Sequence, residues 1–269
     1  MAQYPYQSLN EYYRNIFGKK TAKISLDGGF TCPNRDGTLS TKGCIFCSAG
    51  GSGDFAEDAA LTIAQQIEKG KAQTQKKWPK ACYIAYFQAF TNTYAPVEVL
   101  RVKYEEALAQ PDISGISIAT RADCLGDEVL NLMQELSCKT KVWVELGLQT
   151  ANEATAESIR RGYSNQVFVE GVKKLHYLHI PVVAHVILGL PGETGEDMLK
   201  TIDFLNRLPI HGIKLQLLHV LAHTDLAVLY EAGNYIPLEK EAYLEVLCQC
   251  ISRLRPDIVL YRLTGDGDK

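Results

Sequence analysis

The sequence predicts an open α/β barrel of six parallel strands, a partial form of the eight-stranded TIM barrel. Short apolar segments alternate with longer amphipathic segments along the 269 residues, and no strong repeat or low-complexity linker interrupts them. Strands that alternate with helices form parallel sheets with right-handed connections. Six strands are too few for a closed barrel of eight, so an open (β/α)6 barrel fits best, and a flat doubly wound sheet is the alternative.

The strand candidates are short, mostly apolar runs of the length that buried parallel strands have. In chain order they are Thr21–Leu26, Cys82–Gln88, Gly115–Thr120, Val142–Gln149, Val182–Leu188 and Gly212–His219.

The helix candidates lie between these strands. In the first of them, Ala60, Ile63 and Ile67 recur at helical spacing. Glu57 and Asp58 would occupy its first turn, where the helix dipole favours acids. Another candidate begins near a proline, which the first turn of a helix tolerates. The predicted helices lie near residues 57–76, 96–109, 126–137, 153–178 and 195–207, and a last one lies near 238–254.

The length fits one domain, because α/β barrels of this size are ordinary single domains. We predict an N-terminal extension at 1–20, a barrel core at 21–225, and a C-terminal helix and strand at 226–269. The formal net charge of −3 argues against a surface coated with nucleic acid, although it allows a local basic patch. The sequence has neither a bilayer-spanning apolar run nor a signal-peptide core, so the expected location is the cytoplasm.

Polar residues occur at the predicted strand ends, where ligand groups of parallel α/β folds collect. The chemistry is therefore expected at that end of the barrel. The residues concerned are Gln88, Thr120, Arg121, Asp123, Glu145, Gln149, His185, His219 and His223.

Three cysteines follow the first strand in the segment FTCPNRDGTLSTKGCIFCSAGG. Cys44 and Cys47 form a CxxC pair, and eleven residues separate Cys32 from Cys44. In a reducing cytosol, clustered cysteines indicate a metal site or catalysis rather than disulfides. A closed zinc site needs four ligands, and a thioredoxin-type dithiol needs only two thiols. Three thiolates suit a [4Fe–4S] cluster with one open iron, but the spacing alone leaves zinc as an alternative.

These motifs resemble the radical SAM (S-adenosyl-L-methionine) superfamily. Nearly the whole chain is similar to its YhcC/YtqA-like family, in GGFTCPNRDGTLSTKGCIFC, TRADCL, ELGLQT, IRRGYS, HVILGLPGET and YRLTGDG. The commonest superfamily spacing is CxxxCxxC, and the wide spacing here resembles the subgroup that includes the Elongator catalytic subunit. Members of the YhcC/YtqA-like family extend some tens of residues further, which leaves open a truncation at Thr264–Lys269.

The resemblance implies a [4Fe–4S] cluster on Cys32, Cys44 and Cys47, with SAM bound to the fourth iron. One electron from the cluster would cleave SAM to methionine and a 5′-deoxyadenosyl radical, which abstracts a hydrogen atom from the substrate. It also implies an oxygen-sensitive enzyme and an external electron donor of the flavodoxin or ferredoxin type.

The resemblance also assigns a set of SAM contacts. In related enzymes, the turn after the second strand holds the SAM amino group. A glutamine after the fourth strand and an arginine twelve residues later reach the ribose and the carboxylate. The matching residues, with those at the other strand ends, are Gln88, Thr120, Glu145, Gln149, Arg161, His185 and Gly189.

Structural roles stay open for several of these positions. Gln88 can belong to a simple strand-end turn, and His185 can be a core histidine. Arg121 and Asp123 can pair as a loop clamp, and Glu145 can belong to a buried network, because a carboxylate inside a barrel needs a partner.

For the substrate, the resemblance points to transfer RNA, at the side group on carbon 5 of a wobble uridine. An Elongator-type acetyltransferase domain is absent from the sequence, so we expect reworking of an existing side group. The alternatives are the same chemistry on a small molecule or protein, and a zinc- or cluster-stabilised binding module without radical chemistry.

Two basic and aromatic clusters could contact RNA phosphates and bases, or could simply be solvated helix ends. They are Lys69, Lys71, Lys76, Lys77, Trp78 and Lys80, and Tyr4, Tyr6, Tyr12, Tyr13, Arg14, Lys19 and Lys20.

Overall fold

The fold is an open barrel of parallel strands, seen in a computed structural model that describes residues 6–51 and 56–264. Each strand pairs with the next one in sequence, and all pairs are parallel. The strands are β1 (Thr21–Leu26), β2 (Cys82–Phe87), β3 (Ile113–Thr120), β4 (Lys141–Gln149), β5 (Val182–Leu188), β6 (Gly212–Leu217) and β7 (Val259–Arg262).

The open α/β barrel predicted from the sequence is confirmed. The strand order runs from β1 to β7 without a reversal, whereas a doubly wound sheet reverses at a switch point. Six strands match the predicted segments, and β7 is the strand expected near the C-terminus. Within residues 6–51 and 56–264, β1 and β7 do not pair, so the barrel has a gap between these edge strands.

The helices pack around the sheet. They are α1 (Leu9–Phe17), α2 (Ile63–Gln75), α3 (Val97–Leu108), α4 (Asp127–Ser137), α5 (Glu153–Ser158), α6 (Asn165–Tyr177), α7 (Gly195–Asn206), α8 (Asp225–Glu231) and α9 (Lys240–Arg253). In the described parts of the chain, none of them is long and apolar enough to cross a membrane.

Two predicted helix boundaries are wrong. The helix predicted at 57–76 begins only at Ile63, because Thr62 and Gln65 form a capping box there. The helix predicted at 153–178 is two helices, because the chain turns through left-handed backbone at Arg160 (φ 60°) and Gly162 (φ 83°). Helices α1 and α8 are additional to the prediction.

Helix α1 closes the N-terminal end of the barrel. Tyr13 is 2% exposed and packs edge-on against Trp143, with 5.5 Å between ring centroids. Ile84, Val183 and Val259, each near the start of its strand, belong to the same cluster. The barrel interior is therefore reached from the C-terminal end or through the gap between β1 and β7.

Candidate functional site

The loop that carries the three cysteines follows β1, and its own side chains brace it. The N–H of Arg35 donates to the carbonyl of Cys32 at 2.8 Å. The Arg35 guanidinium donates to the carbonyls of Cys47 at 3.1 Å and Ser48 at 2.5 Å. One arginine thus ties the two ends of the cysteine loop together.

The same loop is fastened to the connection between α5 and α6. Asn34 Nδ2 donates to the carbonyl of Arg160 at 2.7 Å and lies 3.6 Å from Cys44 Sγ. Gly162 lies against Asn34, where an added Cβ would stand 2.7 Å from Asn34 Oδ1. Its φ of 83° also favours glycine, so the IRRGYS motif has a structural reason.

The three cysteines are free thiols that line one cavity of about 180 Å³, which we call the thiol cavity. The hydrogen bond with Cys47 and the charge of the Arg121 guanidinium together lower the pKa of Cys44 to about 7, against the effect of burial. A lowered pKa favours the thiolate, which is the metal-binding form of cysteine. Five predicted SAM contacts also line this cavity: Thr120, Glu145, Gln149, Arg161 and His185.

The donor set of the thiol cavity fits an iron–sulfur cluster. The described lining of the cavity has three cysteines and no fourth, which matches a [4Fe–4S] cluster that keeps a fourth iron for another ligand. Among residues 6–51 and 56–264, no three His, Cys, Asp or Glu side chains gather around a point that would hold a single metal ion. Cluster thiolates bind different iron atoms, so they need not converge on one point.

Gln149 has the most unusual backbone of the predicted site residues. It adopts a left-handed conformation, with φ at 64°, where the β4–β5 register shifts between Gly147 and Gln149. Its Oε1 atom is buried and has no hydrogen-bond partner in the described residues. Strain in a non-glycine residue and an unpaired buried oxygen both occur preferentially at ligand sites.

Arg161 lines the thiol cavity, but its guanidinium is already engaged. Nη1 donates to the carbonyls of Leu148 at 3.0 Å and Thr150 at 2.9 Å. Nε donates to the carbonyl of Tyr163 at 2.8 Å, and Nη2 pairs with Glu153 at 3.0 Å. These bonds hold the α5–α6 connection against the end of β4, so the geometry favours a structural role over the expected carboxylate fork.

Arg121 and Asp123 form the clamp that was one alternative for the TRAD motif. Arg121 Nε and Nη2 each reach one carboxylate oxygen of Asp123, at 3.0 and 2.8 Å. Its Nη1 donates to the carbonyl of Arg161 at 2.8 Å. Thr120 Oγ1 lies 2.6 Å from Thr93 Oγ1, so this strand end is tied to the turn after β2.

Glu145 is the centre of a charged network inside the barrel. Its side chain is fully buried and lies 2.5 Å from Lys214 Nζ and 2.6 Å from His185 Nε2. Ser117 Oγ donates to it at 2.6 Å, and Lys23 forms a second ion pair. The buried-network alternative for Glu145 is therefore present, on a residue that also faces the thiol cavity.

Charge in this network is set by burial and by the lysines. Burial alone would raise the pKa of Glu145, but Lys214 and Lys23 hold it well below the usual range. Burial lowers the pKa of Lys214 to about 8. Burial, followed by repulsion from Lys214, lowers the pKa of His185 to about 4. At neutral pH the carboxylate is ionised and the imidazole is neutral.

Two predicted SAM contacts lie outside the thiol cavity. The N–H of Gln88 donates to the carbonyl of Leu26 at 3.1 Å, so this residue stays beside the end of β1. Gln88 lines a different cavity. Gly189 is covered, because Tyr235 donates to its carbonyl at 2.8 Å and Leu238 packs against its Cα. Neither position lines the thiol cavity.

The histidines after β6 face neither cavity. His223 is exposed, whereas His219 is half-buried and its Nε2 has no partner in the described residues.

Sequence reasoning missed several residues that build the site. Asn34 and Arg35 lie in a polar loop, where the sequence has no periodic pattern that would distinguish a structural side chain from a solvated one. Lys23 and Lys214 did carry a signal, since each stands alone in an apolar strand and a buried charge needs a partner.

A second cavity, which we call the edge cleft, opens at the gap between β1 and β7. It has a volume of about 630 Å³, and Lys23, Lys214 and Tyr261 are among its lining residues. Glu145 pairs with both lysines and faces the thiol cavity. The Glu145 network therefore stands between the two cavities.

Two uncharacterised bacterial proteins are similar to the chain over most of its length. YtqA of Bacillus subtilis is 47% identical over 97% of this chain and 81% of its own length. YhcC of Escherichia coli is 35% identical over 93% of this chain and 80% of its own length. The tRNA uridine(34) acetyltransferase of Methanocaldococcus jannaschii is 27% identical over 49% of this chain and 24% of its own.

Solved structures share the fold at low sequence identity. The Methanocaldococcus infernus Elp3 with an N-terminal deletion has a TM-score of 0.70 and 17% identity, covering 92% of this chain and 57% of that chain. Streptococcus suis SuiB bound to S-adenosylmethionine has a TM-score of 0.54 and 13% identity, covering 96% and 54%.

Family models agree with the motifs and the fold. The Radical_SAM C-terminal domain matches residues 210–269. The Radical SAM superfamily matches residues 32–205, a span that includes all three loop cysteines and most of the barrel. With YtqA and YhcC as relatives, this match shows that the chain belongs to the Radical SAM superfamily.

Proposed function

We propose that this chain is an enzyme that holds a [4Fe–4S] cluster on Cys32, Cys44 and Cys47 and binds SAM beside it, against the residues that line the thiol cavity. The observation that carries the proposal is the placement of three free thiols in one cavity with an unpaired buried Gln149 oxygen. When bound, the cluster would supply one electron to cleave SAM to methionine and a 5′-deoxyadenosyl radical.

The residues of the chain then have separate tasks. Arg35 and Asn34 hold the cysteine loop in one shape, which fixes the thiols before the cluster arrives. Gln149 offers its carboxamide oxygen to an N–H or O–H of SAM. Glu145 and its lysines place a fixed polar wall opposite the cysteines, and preorganised charges need no rearrangement during a reaction.

For the substrate, we propose tRNA, with reworking of an existing side group on carbon 5 of the wobble uridine. The support is the similarity to a tRNA uridine(34) acetyltransferase, whose name specifies the same nucleotide position. A 5′-deoxyadenosyl radical acts by hydrogen abstraction, and a side group that is already attached would supply the C–H bond. An external one-electron donor of the flavodoxin or ferredoxin type would complete the reaction.

Nucleoside analysis of tRNA tests the substrate. Cells that lack the protein should accumulate a wobble-uridine intermediate, and purified enzyme with reductant and SAM should convert that intermediate in isolated tRNA. A catalytically dead Cys44→Ala protein is the control for conversion. An unchanged nucleoside profile in the deletion strain would contradict the tRNA assignment.

A further inference from the structure

The fold brings the two basic segments of the sequence together. Lys20, just after α1, places its Nζ 4.5 Å from the ring centroid of Trp78, which follows α2. Lys77 approaches the same ring at 4.9 Å. Tyr4 of the N-terminal cluster lies outside the described residues. We call the combined surface the rim patch. The rim patch consists of Arg14, Lys19, Lys20, Lys76, Lys77, Trp78 and Lys80.

The rim patch is an unbalanced positive surface on a protein whose net charge is −3. The sequence has no acidic residue between Glu11 and Asp27, and none between Glu68 and Glu98. All six cations except Lys20 are exposed. Burial, followed by repulsion from Arg14, lowers the pKa of Lys20.

Ion pairing distinguishes the rim patch from other basic positions. Lys69, Lys139 and Lys200 each lie within 4.0 Å of a carboxylate. In the described ranges, none of the six rim-patch cations has such a partner. These charges repel one another in the free protein, so an anionic partner would relieve that repulsion.

The rim patch lies at the mouth of the edge cleft. Lys20 and Trp78 belong to both the patch and the lining of the cleft. Deeper in the cleft, Lys23 Nζ stands 4.6 Å from the Tyr86 ring centroid and 5.0 Å from that of Tyr261. The cleft thus leads from external cations past aromatic rings to the wall of the thiol cavity.

We propose that the rim patch is the docking surface for an RNA strand, whose phosphates lie on the cations while a base next to the reacting nucleotide stacks in the edge cleft. This inference rests on the proposed function and names the surface that would present its substrate. The cleft volume of about 630 Å³ lies in the range of small-ligand sites. Proteins that bind a single strand combine a positive surface with aromatic side chains on which bases stack. An acidic protein would also match the charge, but an aromatic cleft beside the cations favours a polymer of bases and phosphates.

A matched pair of double variants tests the docking surface. Lys76→Glu/Lys77→Glu reverses two rim-patch charges, and Lys173→Glu/Lys174→Glu reverses an adjacent exposed lysine pair at the end of α6. We expect the rim variant to bind tRNA about tenfold or more weakly, and its slope of log K against log salt to shrink by about 1.5. The α6 variant should change affinity by less than about twofold, because Lys173 and Lys174 lie outside the rim patch and contact no phosphate in this proposal. With a reconstituted cluster, dithionite and SAM but no tRNA, both should form 5′-deoxyadenosine at the wild-type rate. Both should also keep the wild-type melting temperature.

The outcomes separate this inference from the proposed function. If wild-type protein binds tRNA and the rim variant binds it equally well with the same salt slope, the rim patch is not the docking surface, and the tRNA assignment stands. If wild-type protein has no tRNA affinity at low salt, both fail. If polyglutamate displaces tRNA as effectively as an RNA of equal charge, the surface is a general anion site and the RNA inference is overturned.

Discussion

The Nε2 atom of His185 lies 2.6 Å from a carboxylate oxygen of Glu145, in the wall between the thiol cavity and the edge cleft. Burial lowers the pKa of the imidazole to about 4 despite this carboxylate, while Lys214 and Lys23 keep the carboxylate ionised. His185 is thus a neutral hydrogen-bond donor to a buried anion at physiological pH. The charge state of the wall is fixed by its packing.

The pKa of His185 makes stability depend on pH in a defined window. The folded value of about 4 is below the usual 6.5, so between these values the unfolded chain binds a proton that the folded chain does not. Stability should therefore fall as the pH drops from 6.5 towards 4, by up to about 3 kcal/mol from this residue. Urea unfolding at several pH values, compared with His185→Gln, isolates the effect. Equal slopes for the two proteins would contradict it.

Removing the charge of Glu145 should be costly. Glu145→Gln leaves Lys23 and Lys214 buried together without their counterion, which should cost about 3–5 kcal/mol at neutral pH. Chemical denaturation measures this, with the exposed Glu245→Gln as a control that should stay within about 0.5 kcal/mol. Glu145 raises the pKa of Lys214, so in the variant this amine should lose its proton below pH 8. Part of the loss should therefore be recovered as the pH rises towards 8. A cost equal to that of the control would mean that the network contributes nothing.

Gly162 should couple the α5–α6 connection to the cysteine loop. Gly162→Ala places a Cβ 2.7 Å from Asn34 Oδ1 on backbone with φ at 83°, and such strain costs about 1–3 kcal/mol. We expect a lower melting temperature and less iron retained per chain after reconstitution. Gly195→Ala is the control, since an added Cβ there meets nothing within 4 Å. Iron content and melting temperature unchanged in Gly162→Ala would show that Asn34 is not a brace.

Gln149 allows backbone strain and ligand contact to be separated. Gln149→Gly removes the carboxamide and relieves the left-handed strain, whereas Gln149→Ala removes the carboxamide alone. Both should bind SAM more weakly in calorimetry of the reconstituted protein. Only the glycine variant should be more stable than wild type, by about 1 kcal/mol. Wild-type SAM affinity in both variants would remove Gln149 from the proposed SAM site.

The strands were predictable because each is a buried apolar run with an abrupt end. Thr21–Leu26 and Val182–Leu188 coincide with the observed β1 and β5. Helix α1 was not predicted, because its aromatic residues show no clear helical pattern in the sequence. Tyr13 packs against Trp143, which lies 130 residues later in the chain. The start of α2 was predicted too early, because Ala60 continues the apolar helical spacing although it precedes the N-cap residue Thr62.

The site was predictable only in part. Thr120, Glu145, Gln149 and His185, each on a predicted strand, line the thiol cavity with the cysteines, since parallel strands end at one side of the sheet. Gln88 and Gly189 do not line it. Hydrogen-bond partners were not predictable, because Glu145 pairs with Lys23 and Lys214 from distant strands. Arg161 is bound mainly by backbone carbonyls, which no side-chain pattern marks. The edge cleft depends on a gap between the first and last strands, which sequence periodicity does not reveal.

The most direct test of the central claim is 5′-deoxyadenosine formation by anaerobically reconstituted protein given dithionite and SAM. The matched variants are Cys32→Ala, Cys44→Ala, Cys47→Ala and, as the control, the exposed Cys138→Ala. The account predicts product from wild type and from Cys138→Ala, and none from the three loop variants. Absence of product from cluster-loaded wild type, or undiminished product from the loop variants, would contradict it.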